Sequence, residues 1–165
     1  MKTSTYTYKK QMSYSRKKYM GGIPGSKIAR FTMGNTRRVF SHRVKMINLK
    51  AGQIKHNALE SARIASMRHL ERNVGRENFM LKIVSYPHEV LRENKRVNVA
   101  QADRFQSGMR GAFGKPVAVA ARLGKRKTIL LADVDEEHIV EAREALRKAS
   151  HKMPLPVKIL EEKLN

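Results

Sequence analysis

Residues 116–152 read PVAVAARLGKRKTILLADVDEEHIVEAREALRKASHK. Two apolar runs, 116–123 and 127–134, flank Gly124-Lys125-Arg126, a pattern that predicts two strands joined as a hairpin with a basic tip. At Asp135 the period changes. Ile139, Ala142, Leu146 and Ala149 recur three or four apart, which predicts a helix over 135–152 with those residues buried. Asp135 stands where a cap belongs. Glu136 and Glu137 fall in the first turn and Arg147, Lys148 and Lys152 at the end, so the charges oppose the helix dipole.

The same two periods continue outward. Val39–Leu49 predicts a first strand. NALESARIASMRHLERNVG (57–75) predicts a helix, with Asn57 as cap, Glu60 completing a capping box and Gly75 as the stop. Its stripe of Leu59, Ala62, Ser66, Leu70 and Val74 suits close packing on a sheet, while Arg68 and Arg72 project elsewhere, as phosphate ligands or as a solvated face. FMLKIVSYP (79–87) alternates as a strand ended by Pro87, HEVLRENKR (88–96) predicts a strand returning beside it, and PLPVKIL (154–160) a last short strand. Strands outnumber helices. The expected fold is therefore α+β, a mixed or antiparallel sheet with two packed helices, in a single domain over 37–165.

Two stretches follow neither period. In SGMRGAFGKP (107–116), Gly108, Gly111 and Gly114 recur at a spacing of three, interleaved with Met109, Arg110, Phe113 and Lys115. Glycine this dense forfeits packing side chains and carries a large ordering entropy, so it predicts a long glycine-rich loop protruding over about 97–115. Residues 1–36 read as an extended basic arm, broken by Gly21, Gly22, Pro24, Gly25 and Gly34. Tyr6, Tyr8, Tyr14 and Tyr19 alternate there with Lys and Arg, a mixture suited to stacking on bases while cations meet phosphates. A solvated tail whose tyrosines pack singly on the domain is the alternative.

Charge narrows the function. The 165 residues carry 35 Lys and Arg against 14 Asp and Glu, a net +21 with sequence pI near 10.7. Such self-repulsion opposes compaction in isolation and points to a polyanionic partner. The distribution is uneven: residues 1–50 hold thirteen bases and no acid, whereas from Leu130 onward eight acids face six bases. A membrane surface would call for a basic amphipathic helix, which the glycine-broken arm does not supply, so nucleic acid is favoured. No apolar run approaches the roughly 20 residues that span a bilayer. MKTSTYTYKKQ lacks a signal peptide's apolar core, and the expected location is cytoplasmic.

Tests for chemistry are negative. Gly114-Lys115 lacks the upstream glycine of a phosphate-binding loop, GxGxxG is missing, and the GxxG at Gly108–Gly111 has no helical frame around it. There is no cysteine, and His42, His56, His69, His88, His138 and His151 show no metal-ligand spacing. The expectation is no enzyme, no cofactor and no metal. A free RNA-processing enzyme or a DNA-compacting chromosomal protein are the alternatives.

Five segments in order, GGIPGSKIARFTMGN (21–35), LESARIASMRHL (59–70), YPHEVLRENKR (86–96), ADRFQSGMRGAFGKPVAVAAR (102–122) and EALRKASHKMP (144–154), closely resemble the large-subunit ribosomal protein L-sixteen family in its archaeal and eukaryotic L-ten-e branch. The resemblance implies an α+β protein among ribosomal RNA helices that is structural rather than catalytic. It implies contacts with neighbouring ribosomal proteins and with subunit assembly factors. The loop is expected to reach toward tRNA near the peptidyl-transferase region. Two positions depart from the family pattern: Gln101 stands where most relatives have glycine, and QMSYSRKKY (11–19) lacks a proline usual there. The RNA-binding candidates are Lys9, Lys10, Arg16, Lys17, Lys18, Lys27, Arg30, Arg37 and Arg38 on the arm, with Arg92, Lys95 and Arg96 before the loop. The loop candidates toward tRNA are Arg104, Phe105, Gly108, Met109, Arg110, Gly111, Phe113, Gly114 and Lys115.

Overall fold

A computed structural model of the chain describes residues 16–94 and 113–164. The strands are β1 (Thr32–Gly34), β2 (His42–Asn48), β3 (Gly52–Lys55), β4 (Phe79–Ile83), β5 (Glu89–Glu93), β6 (Lys115–Leu123), β7 (Thr128–Val134) and β8 (Val157–Lys163). The helices are α1 (His56–Asn73) and α2 (Ile139–Ser150). All described pairings are antiparallel. They form one sheet in the order β1-β4-β7-β2-β8 and a second in the order β3-β6-β5.

The alternation read from sequence sets the buried face of the larger sheet. Val44 and Met46 of β2, Phe79, Leu81 and Ile83 of β4, and Leu130, Ala132 and Val134 of β7 lie inside. On the other face Arg43 makes a two-pronged ion pair to Asp133, at 2.6 and 2.7 Å, directly across the β2–β7 ladder. Lys45 pairs with Glu162 of β8. Both helices cover the apolar face, α1 with Leu59, Ala62, Ser66 and Leu70, and α2 with Ala142, Ala145, Leu146 and Ala149. Ile139 packs at the margin of this core, partly buried.

Three local expectations are corrected. First, 116–123 and 127–134 are not a hairpin: β6 pairs with β3 and β5, and β7 with β2 and β4. The short basic link between them is a corner from one sheet to the other. Buried Asn48 holds that corner. Its Nδ2 donates to the Gly124 and Lys50 carbonyls, its Oδ1 accepts from the Lys127 N–H, and its backbone exchanges bonds with Arg126 and Lys127. Arg126 takes a positive φ of 57° to make the bend. Second, β5 does not return beside β4; Ser85–His88 carries the chain across to the second sheet.

Third, neither helix is capped as its sequence suggests. β3 passes straight into α1 at His56, so Asn57 is already helical and the capping-box geometry cannot form. Asp135 does flank a short 3-10 turn, Glu136–His138, but its side chain pairs with Arg38 instead of capping. Gly75 does stop α1: with φ +85°, its N–H donates to the Leu70 carbonyl. The strand expected at 39–49 is β2, at 42–48, and the last is 157–163; the first described strand, β1, lies within the segment read as arm. Pairing with partner strands, rather than the extent of the apolar run, sets those ends.

Candidate nucleic-acid interface

Of the cations assigned to the arm, Arg16, Lys17, Lys18, Lys27, Arg30, Arg37 and Arg38 are described; Lys9 and Lys10 lie outside the described residues, as do Tyr6, Tyr8 and Tyr14. Residues 16–38 are attached to the domain by their backbone and apolar side chains. Met20, Ile28 and Met33 are buried. The Lys27 N–H donates to His56 Nδ1 at 3.2 Å, and the Ala29 N–H donates to the Glu60 carboxylate at 3.3 Å. Glu60 also takes two bonds from Arg63, which hold its pKa below the ordinary carboxylate value. With the backbone tied down, the Lys17, Lys18, Lys27 and Arg30 side chains lie at the exposed surface, and Lys18 lies over the half-exposed Tyr19 ring.

β1 then docks at the edge of β4. Gly34 has φ +82°, and a Cβ there would run into the Phe79 carbonyl oxygen, so only glycine fits. Asn35 follows, its Oδ1 accepting from the Arg37 and Arg38 N–H groups while its Nδ2 donates to Glu77. Arg37 is exposed. Arg38 instead bonds Asp135 at 2.5 Å and Asn78 at 2.9 Å and lies over the Phe40 ring, so it ties the segment to the start of α2.

The second cluster stands on β5 and β6. β3 reaches only as far as Ala120 on β6, so the β5–β6 pair runs on as a two-stranded ribbon. The ribbon ends with Glu93 opposite Lys115. A bulge between Leu91 and Arg92 falls opposite Pro116, which could not donate to a regular ladder. The Arg92 guanidinium lies 4.4 Å from the centre of the Phe113 ring, while Gly114 is buried and Lys115 exposed. Lys95, Arg96, Arg104, Phe105, Gly108, Met109, Arg110 and Gly111 lie outside the described residues.

Six carboxylates of the domain are matched by its own cations. Asp133, Asp135, Glu60, Glu144, Glu161 and Glu162 each pair with Arg or Lys. Arg147 and Lys45 hold Glu144 and Glu162 below the ordinary carboxylate pKa by hydrogen bonding. Fourteen acids cannot neutralise 35 bases, so most cations, including exposed Arg68 and Arg72 on α1, require an external counter-charge.

Among the described residues no group of His, Asp and Glu could hold a metal ion. His69 stands between the helices, with Nε2 2.9 Å from Glu141 and Nδ1 2.7 Å from the Lys148 ammonium. An ammonium can only donate, so Nδ1 accepts and Nε2–H donates to Glu141. Both ring nitrogens are engaged, and the cluster serves as a tie between helices. No described helix is long and apolar enough to cross a membrane. Sequence reasoning missed Asn48, His56 and the Glu60–Ala29 bond. Their only signal was a polar residue beside a strand or helix end.

An α+β core, with an anchored segment and a strand ribbon that carry exposed cations at Lys17, Lys18, Lys27, Arg30, Arg37 and Lys115, defines a scaffold suited to a polyanion. The family described as ribosomal protein L16p/L10e matches residues 6–160. Proteins called large ribosomal subunit protein uL16 are similar to this chain over nearly its whole length. The one from Staphylothermus marinus is 46% identical over 155 residues, covering 94% of this chain and 89% of its own. Those from Methanosphaerula palustris and Sulfolobus acidocaldarius are 45% and 44% identical over 152 and 155 residues, covering 92% and 93% of this chain and 88% of their own in each case. The chain belongs to the ribosomal protein L16p/L10e family.

Proposed function

We propose that this chain is a structural, non-catalytic constituent of the large ribosomal subunit, bound to ribosomal RNA and neighbouring ribosomal proteins and cytoplasmic as part of the ribosome. The observation that carries this reading is the family match across residues 6–160, on a chain whose charge surplus demands a large polyanion. The exposed cations of residues 16–37 meet RNA phosphates, with Lys9 and Lys10 extending the same tract. Arg92, Lys95 and Arg96 meet phosphates around the ribbon. Arg104, Phe105, Gly108, Met109, Arg110, Gly111, Phe113, Gly114 and Lys115 address tRNA near the peptidyl-transferase region, where glycines allow close approach of the backbone to RNA. Arg38 serves the fold first, because two internal partners already hold it. Residues 1–36 act as the RNA-facing arm and 37–165 as the domain that positions it.

Sedimentation of cell extract with the full chain tests the assignment. Co-migration with large subunits through a high-salt wash is the expected result; recovery in the soluble or chromosomal fraction refutes it. The loop's role has a separate test. Changing Arg110 and Lys115 together to Ala lowers translation by assembled subunits while the free chain's unfolding midpoint stays near wild type. Equal loss of both would make the loop part of the fold only.

A further inference from the structure

The two crossovers between the sheets, Val84–His88 and Gly124–Lys127, with the adjoining strand ends, border an open groove of about 460 Å³. That size falls in the range of small-molecule sites. Its walls are fixed. The Val84 N–H donates to the Ile129 carbonyl, Ser85 Oγ to the Thr128 carbonyl, and the Lys127 N–H to buried Asn48. On one side Tyr86 is 61% exposed, although Phe31 stacks against it with centroids 5.5 Å apart and planes 26° from parallel. A buttressed ring left mostly in water presents a ready stacking platform. Beside it, His88 Nδ1 lies 3.1 Å from the Tyr86 carbonyl, which can only accept. Nδ1 therefore carries a proton, and Nε2 is left to address a ligand. Arg122 and Lys127 also line the groove, and none of the lining residues is acidic.

We propose that this groove takes one unstacked nucleotide of ribosomal RNA. Its base lies on Tyr86, His88 meets the base edge, and Lys127 meets the phosphate. The proposal rests on the ribosomal reading above and adds a binding mode: a preformed pocket for an extruded base, distinct from phosphate contacts along the arm. Stacking on an aromatic ring tolerates any base, so specificity would come from which nucleotide the folded RNA extrudes.

Large subunits assembled with the full chain are washed in high salt and irradiated with ultraviolet light, and nucleotide-bearing peptides are read by mass spectrometry. A nucleotide adduct on Tyr86 or His88 is expected. Tyr86→Phe keeps it, while Tyr86→Ala loses it and weakens retention on the order of 10–100-fold. Lys127→Ala leaves the backbone bonds to Asn48 in place and reduces the salt dependence of retention by about one ion. Adducts confined to peptides from residues 16–38, or a neighbouring protein cross-linked at Tyr86, would overturn the groove's occupant and leave the ribosomal reading standing. A chain missing from the washed subunits overturns that reading, and the groove's occupant with it.

Discussion

His56 opens α1 buried, with its Nδ1 accepting the Lys27 N–H, so the bond exists only while that nitrogen is unprotonated. Burial lowers its pKa below the ordinary 6.5, and the charges of Lys27 and Lys55 add to the effect. In acid the unfolded chain takes up this proton before the folded one does. The stabilising contribution is therefore complete above about pH 6.5 and is lost as pH falls below it. His56→Asn keeps an acceptor but removes the titration. The midpoint difference between wild type and variant should shift as pH is lowered from neutral; a constant difference would dispose of the claim. Gly34 offers a second test, since Gly22 also has a positive φ but has open space around it. Gly34→Ala should cost about 2 kcal/mol or more in denaturant unfolding, and Gly22→Ala about 1 kcal/mol. Equal losses would mean that the Phe79 carbonyl imposes no limit.

At the level of elements, β3 covers only the far half of β6, so the β5–β6 ribbon continues past it. Among the described residues, Leu91 and Ala120 form a small buried cluster there, with Val117 and Ala118 packed against it. At the ribbon's end Arg92 stacks on Phe113. A double-mutant cycle of Arg92→Ala and Phe113→Ala should show coupling of about 0.5–1 kcal/mol in unfolding free energy. Additive losses would mean that the ring and the guanidinium do not support one another. The bulge at Leu91–Arg92 explains why Pro116 is tolerated in β6, whereas β7, paired on both sides along most of its length, contains no proline.

For the molecule as a whole, one surplus of charge produces two salt dependences of opposite sign. Added salt screens repulsion among the unmatched cations, so the unfolding midpoint of the free chain should rise with ionic strength. Association with ribosomal RNA should weaken over the same range. If about eight cations meet phosphates, the loss is on the order of 10³–10⁵ between low and moderate salt. Thermal unfolding and filter binding across one salt series check both, and a midpoint that falls with salt would show that internal ion pairs outweigh the self-repulsion.

Periodicity, composition and charge are properties of short stretches of chain. They made legible the strands at 79–83 and 128–134, both helices with their buried stripes, the α+β class and the demand for a polyanion. The five quoted segments made the family legible, because side-chain order along a chain needs no coordinates to be read. Which strand pairs with which was not legible. A strand's alternation is the same whether its neighbour is four residues or eighty residues away, so 116–134 looked like a hairpin until Asn48, far off in sequence, bent it between two sheets. Arg38 likewise reads as one more arm cation until folding brings Asp135 against it, and Tyr86 as a strand residue until two crossovers leave it on the wall of a groove. Contacts across such distances depend on the packing of the entire core, and no local pattern encodes them.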